Sequence, residues 1–474
     1  MTALTDRTRW LALLVLCLGD VLIVVDVSIV NVALPSIRDD LGFSEAELAW
    51  VVNAYTLTFG GFMLLAGRLG DLFGQRRLFV GGVALFTAAS AACGLATSQT
   101  VLVAARAMQG LGGAVVAAIA LSLIMTLFTE PAERAKAMGV IGFVAAGGGS
   151  VGVLAGGVLT DLLSWHWIFL VNVPIGAGVV VASFAVLPAD RGERRRGALD
   201  LPGALLVTGA LLLAVYAIVG GNEHGWLSGR TLGLLAAAAA GLAAFLALEA
   251  RVAAPLVPLG LFRIRSVAAS NAVGILWSAA MFATFFLSAL YLQLVLGYTP
   301  LEVGLAFLPA NLIMGVFSIG LSARVVLRFG VKPTLVTGLV LVAVGLALFA
   351  RAPVDGSFAA DVLPCLVVLA LGMGLAMNPL LLAAMGDVRP EDSGLASGVV
   401  NTSFMMGGAL GLAVLASLAA AVAGDAPTPA ALVDGYHAAF AAGTAFALAA
   451  ATLAALWLRQ PRSAVAEEAL PEVA

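Results

Sequence analysis

The sequence predicts an all-α polytopic membrane protein of fourteen spans with both termini in the cytoplasm. Three observations lead there. Of 474 residues, 62% are hydrophobic and only 11% charged, and the mean hydropathy is +1.07; a soluble domain carries about 25% charged residues. The apolar residues fall in runs of about twenty or more, the length that crosses a hydrocarbon core roughly 30 Å thick. The Lys and Arg residues collect in alternate breaks between those runs. The bilayer leaves open backbone unsatisfied and the runs are too long for barrel strands, so helices are the expected form.

Taken in order, Arg7 and Arg9 precede a first run near 10–35 that continues to Pro35 and holds two acids, a retained span rather than a signal peptide. Arg38 marks the outside break before a run near 46–68, which returns to Arg68, Arg76 and Arg77 inside. Runs near 78–97 and 100–127 follow and end at Arg134 and Lys136. Those near 135–160 and 165–187 reach the cluster Arg191, Arg194, Arg195 and Arg196. Two central runs, 199–219 and 229–249, enclose Arg230 and lead to Arg251, Arg263 and Arg265. The last six lie near 267–297, 301–323, 331–350, 360–385, 393–422 and 435–458. Their breaks hold Arg324, Arg328 and Lys332, then Arg351, Arg389, and finally Arg459 and Arg462. With the N-terminus inside, twenty of the 24 basic residues are cytoplasmic, three are outside, and Arg106 lies within a span. The positive-inside rule requires such a split, and one miscounted span would scramble it.

The composition also excludes function classes. A formal net charge of −3 and a pI near 5.7 leave no basic domain for nucleic acid. Cys17, Cys93 and Cys365 sit apart in apolar runs, and His166, His224 and His437 are scattered, so neither disulfides nor a metal are expected. Neither lysine, Lys136 or Lys332, follows a glycine as a phosphate loop demands. No nucleophile–base pair stands out. The expectation is a non-enzyme with no cofactor.

Charge inside the spans is the informative remainder. A central Asp costs roughly 2.5–3.5 kcal/mol on the insertion scale, and the first span carries both Asp20 and Asp26. Intramembrane ionisable groups are by default candidates for ion pathways. At 100° per residue the two lie about 120° apart on the helix, so they need not share a partner. Arg106, in the fourth span, is the natural counter-charge for Asp26. A carboxylate between desolvation, which favours the proton, and a nearby cation, which expels it, is a minimum device for coupling a proton to cargo. A static buried ion pair is the competing reading of the same residues.

In the fifth span Gly148, Gly152 and Gly156 recur every four residues, followed by Gly157, a spacing that lets another helix approach closely. Between spans two and three, residues 67–77 read GRLGDLFGQRR. Glycines there permit a tight turn, and Asp71 among Arg68, Arg76 and Arg77 has the makings of a breakable charge-assisted latch.

That segment resembles motif A of the major facilitator superfamily, G-x-L-x-D-x-x-G-x-[KR]-[KR], in Gly67, Asp71, Gly74, Arg76 and Arg77. Arg106, Gln109, Gly110 and Gly113 resemble its motif B, and Asp26, Asn31 and Pro35 the first-helix motif of the fourteen-span drug:proton antiporters. Trp50, Asn53 and Tyr55, and the stretch from Trp165 through Asn172 to Gly176, are similar to the same subfamily. The resemblance implies two six-helix bundles, 1–190 and 263–460, rocking about a central cavity, with a cytoplasmic linker and two extra helices over 191–262 and a short tail over 461–474. It implies proton coupling at Asp26 and Arg106. It also implies a cytoplasmic latch from Asp71 to the start of span thirteen near Ser393 and Gly394. A worn repeat places Gly330 where Gly74 stands, with Leu327 in the place of Asp71. Four departures are visible: Val153 replaces the antiporter-motif proline, His166 the usual Arg, Phe404-Met405 a common Arg-Gln, and Asp20, an additional acid on the expected proton pathway, a residue that is often neutral and polar.

The function expected from these features is export of amphipathic drugs or antibiotics across the plasma membrane, driven by the proton gradient and performed by a monomer in contact with lipid. Candidate cavity residues are Asn31, Tyr55, Gln109, Trp277, Phe282, Phe285, Phe286 and Tyr291, for which ordinary packing is the competing reading. An importer of a polar metabolite would need sugar-like donors and acceptors, and the apolar Phe404-Met405 pair speaks against it. A non-transporting sensor would need an appended domain.

Overall fold

In the computed structural model, which describes residues 6–128, 130–188, 200–252, 255–317, 321–385, 388, 393–424 and 428–458, the regular structure is entirely helical. α1 (Asp6–Leu41), α2 (Glu45–Phe73), α3 (Gln75–Gly94), α4 (Gln99–Leu127) and α5 (Pro131–Leu162) are single long helices. The sixth apolar run is split at Val171 into α6 (Trp167–Leu170) and α7 (Asn172–Val186). The two central runs are α8 (Leu201–Val219) and α10 (Gly229–Glu249), joined through the short α9 (Gly221–His224). After them come α11 (Arg265–Leu290), α12 (Pro300–Val316), α13 (Ser322–Phe329), α14 (Val331–Phe349), α15 (Leu363–Met385), α16 (Ser393–Ala423) and α17 (Pro429–Trp457).

Local chemistry sets the ends. Ser44 and Glu47 form a reciprocal capping box at the start of α2, and Thr299 with Glu302 does the same for α12; each satisfies two otherwise orphaned backbone donors. Ser98, Asp200, Ser228 and Thr428 cap α4, α8, α10 and α17. Gly74 turns α2 directly into α3 at φ +100°, and Gly330 turns α13 into α14 at φ +89°. The left-handed region is open to glycine at no steric cost, so the repeat read between these loops is a repeat of backbone conformation.

Twelve segments among the described residues are long and apolar enough to cross a bilayer. The twelve leave out α5 and the 17-residue α12, which is followed by residues outside the described set. Also outside it are Arg191, Arg194, Arg195, Arg196 and the tail 461–474, together with the side chains of Arg68, Asp71 and Ser393.

In the first half, α4 packs between α2 and α3, and α1 lies against α5, α7 and α4. In the second half, α14 pairs with α15 and α11 with α16, while α17 touches α14, α11 and α16. The halves meet along two main seams, α5 with α12 and α2 with α16. α8 leans on both α2 and α16 at the second seam, and α10 packs chiefly on α8.

Candidate functional site

Asp26 lies midway along α1 and is completely buried. The expected glycine stripe is what brings α5 against this part of α1. A methyl at Gly148 would stand 2.9 Å from the Val24 side chain, at Gly152 2.9 Å from the Val25 carbonyl oxygen, and at Gly156 2.8 Å from that of Ile29. Three successive turns of α5 therefore lie against α1 beside the carboxylate, the second and third directly on its backbone. α5 is continuous through Val153, without a break where the antiporter-motif proline would stand.

α4 supplies the counter-charge. Arg106, 1% exposed, donates from Nη1 to Asp26 Oδ2 at 2.5 Å. The same nitrogen donates to Gln109 Oε1 at 2.7 Å, and Nε donates to the Val51 carbonyl of α2 at 2.8 Å. The guanidinium is sandwiched between aromatic faces, 4.4 Å from the Tyr55 ring and 5.6 Å from that of Phe169. Cation–π attraction is strongest in such desolvated settings. Gln109, one helical turn on, donates to Asp26 Oδ1 at 2.6 Å and to Ser90 Oγ of α3 at 2.8 Å. Asn172 at the head of α7 completes the set, donating to Oδ1 at 3.2 Å.

One carboxylate thus accepts from three side chains on two helices and is tied through them to α2 and α3. Such a group can exist charged in an apolar interior because every oxygen is engaged. Protonation would change an acceptor into a donor, and one of the three donors facing it would then lose its partner. Nearby polar capacity remains open: both amide atoms of Asn53, the Tyr55 hydroxyl and Asn172 Oδ1 are buried with no hydrogen-bond partner among the described residues.

The other expected residues are distributed differently. Asp20 is half-buried, and no hydrogen bond joins it to Asp26 or Arg106 among the described residues. Tyr55 and Gln109, expected in a cargo cavity, belong to the carboxylate network. Asn31 is half-buried, with its amide donating to the Val27 carbonyl. Trp277 is buried, its indole N–H unpartnered among the described residues and its ring 5.2 Å from Phe404. Phe282 meets the same Phe404 edge-on at 6.0 Å, and Phe285 faces Phe307. Phe286 and Tyr291 are core residues, each 1% exposed, and the Tyr291 hydroxyl is held by the Pro353 carbonyl at 2.6 Å.

In the 67–77 segment, Gly67 lies within α2, and Gly74 makes the turn. Arg76 donates to the Phe184 carbonyl of α7 at 2.6 Å and Arg77 is exposed. The Asp71 contact expected with span thirteen falls outside the described residues. Gly157 faces away from the other stripe glycines: a methyl there would stand 2.8 Å from Leu301 Cα and from the Pro300 carbonyl of α12. Sequence reading did not assign a role to Ser90, Asn172 or the Val51 carbonyl. A serine in an apolar helix and a main-chain carbonyl carry no sequence signal of their own.

Comparison with known proteins agrees with this architecture. The family model described as "Major Facilitator Superfamily" matches residues 16–412 and 316–472. The puromycin resistance protein pur8 of Streptomyces alboniger is 40% identical over 458 residues, 95% of this chain and 91% of the relative. The cephamycin export protein CmcT of Amycolatopsis lactamdurans is 40% identical over 448 residues, 94% of this chain and 92% of the relative. The fold resembles the crystal structure of the nucleoside transporter NupG, with a TM-score of 0.70 at 10% identity over 95% of this chain and 100% of that one. The chain is a multi-pass membrane protein and belongs to the major facilitator superfamily, alongside its drug- and antibiotic-export members.

Proposed function

We propose that this protein exports amphipathic drugs or antibiotics from the cytoplasm by alternating access, each cycle driven by a proton taken up at Asp26 from outside and released inside. The observation that carries the reading is the buried Asp26 carboxylate held by Arg106, Gln109 and Asn172. Its charge is compensated by hydrogen bonds that a single proton would rearrange, and it sits where α1, α4 and α7 meet. The electrical part of the gradient supplies about 2.3 kcal/mol per charge per 100 mV, enough to shift such an equilibrium appreciably. Relatives named for resistance and export support antibiotic-like cargo. The Trp277, Phe282 and Phe404 cluster offers an apolar wall for it, and Asp20 a staging acid.

Counting α5 and α12 with the twelve apolar segments gives fourteen spans. In this reading both termini are cytoplasmic, which the distribution of Lys and Arg supports, and the protein works in the plasma membrane. The two halves act as six-helix bundles within a functional monomer, no cofactor takes part, and residues 67–77 serve as the cytoplasmic latch. The test expresses wild type and Asp26→Asn in an efflux-deficient host, across cationic dyes, quinolones, tetracyclines and secreted antibiotics. Resistance from wild type alone is the expected result. Full gradient-dependent efflux by Asp26→Asn in proteoliposomes would overturn the coupling role.

A further inference from the structure

A cavity of about 460 Å³ opens between the α8–α10 pair and the α2–α4 face, sharing no lining residue with the Trp277 cluster. Its wall is apolar, made by Ala54, Ala104 and Ala107 with Val103, Leu212 and Leu234. Its rim, at the end where α2 and α4 begin, is charged with both signs. Arg230 is positioned there by the Tyr216 hydroxyl, to which it donates at 2.8 Å, and by the ring of His224. Glu47 and Glu223 share the same rim. Just beyond stand the exposed Trp226 and Leu227, the latter 88% accessible, as expected at a membrane–water boundary.

Depth and chemistry both restrict the occupant. From Glu47 to Ala54 is seven residues, about 10.5 Å of helix rise, and one leaflet of hydrocarbon is roughly 15 Å deep. The cavity therefore runs from headgroup level well into the acyl region. Water gains too few hydrogen bonds to fill an apolar cleft of this kind, and the volume falls in the range, about 300–1,000 Å³, of small-molecule sites. A guanidinium has five N–H donors, so Arg230 retains donors after serving Tyr216 and His224. A rim with one such cation and two carboxylates complements a headgroup carrying both phosphate and ammonium.

We infer that this cavity is a binding site for one zwitterionic aminophospholipid. The acyl chain lies along the alanine-lined wall, the phosphate sits at Arg230, and the ammonium faces Glu223 and Glu47. The inference is independent of the transport reading, since lipid retention is measured without gradient or cargo.

The test is native mass spectrometry of the full chain after delipidation and exchange into defined lipids. Wild type should retain one phosphatidylethanolamine per chain and at least tenfold less diacylglycerol. Arg230→Gln should weaken phosphatidylethanolamine retention about fivefold, the effect of removing one basic residue at a lipid surface. Ala104→Phe, which fills the cavity from α4, should abolish it. Val151→Phe, on an exposed face of α5, controls for added bulk and should retain the lipid. Phosphatidylethanolamine held equally by Ala104→Phe, or diacylglycerol held as tightly as phosphatidylethanolamine, would overturn the assignment. Matched elution and melting profiles identify variants that fold.

Discussion

The seam between α5 and α12 gives the sharpest quantitative test of alternating access. Replacing Gly157 by Ala puts a methyl 2.8 Å from two backbone atoms of α12, where ordinary contact begins at 3.4 Å. The helices must therefore part by roughly 0.6 Å at that point, the difference of those distances. Neither partner is a side chain that can rotate away. The same seam is tight from the other side, where a methyl at Gly304 would stand 2.9 Å from the Val153 carbonyl oxygen. Overpacking of this kind costs about 1–3 kcal/mol, and only the arrangement that joins α5 to α12 bears it. The gain in helix propensity from Gly to Ala, about 1 kcal/mol, acts on both arrangements and cancels. The closed seam should lose population about 5- to 150-fold, at 1.36 kcal/mol per decade. The assay uses a chain with Cys17, Cys93 and Cys365 replaced and a reporter cysteine in place of Asn31, labelled from outside by a membrane-impermeant maleimide. Labelling of the Gly157→Ala chain should accelerate at least fivefold. An unchanged rate in both Gly157→Ala and Gly157→Val, with the proteins folded, would refute the idea that this seam closes the outer side.

Three further outcomes follow from the same geometry. Asp26→Asn leaves Arg106 buried without its anion and should cost about 3–5 kcal/mol in unfolding measurements, whereas adding Arg106→Gln should recover most of that stability and no transport; a double-mutant cycle with no coupling energy would contradict the pairing. Gln293→Ala removes the bond from Gln293 Nε2 to the Val32 carbonyl, 2.9 Å long and joining the two halves, and at about 1 kcal/mol should speed the same maleimide reaction about fivefold. Ser44→Ala should lower stability by about 1 kcal/mol through loss of the α2 cap, with unchanged drug resistance; a resistance loss without a stability loss would place Ser44 in the transport path instead.

Much of this arrangement was legible because the bilayer leaves so few solutions. Apolar runs had to become helices, and the one Arg inside them had to find an acid, as Arg106 does in Asp26 rather than Asp20. The every-fourth glycines had to meet another helix closely, though the sequence did not say which; it is α1, while the neighbouring Gly157 meets the backbone of α12. Aromatic residues were harder to place. Trp277, Phe286 and Tyr291 look alike in a hydrophobic string, and only packing separates the unpartnered indole from the tied phenol. Gln109 and Tyr55 make a related point: spacing gives a residue's face, and only packing shows that this face joins the Asp26–Arg106 network. Nothing in the sequence announced the cavity beside α8 and α10, since its wall is made of ordinary Ala, Val and Leu residues and takes shape only when four helices converge.

The bond from Arg106 Nε to the Val51 carbonyl has a directional consequence. Arg106 holds Asp26 with one nitrogen and the α2 main chain with another, so neutralising the acid does not set the arginine adrift. It stays moored to α2, to Gln109 and between two aromatic rings. Protonation of the acid would therefore remove a bond on the α1 side while the mooring to α2 stands, so α1 is the helix whose hold on the knot weakens.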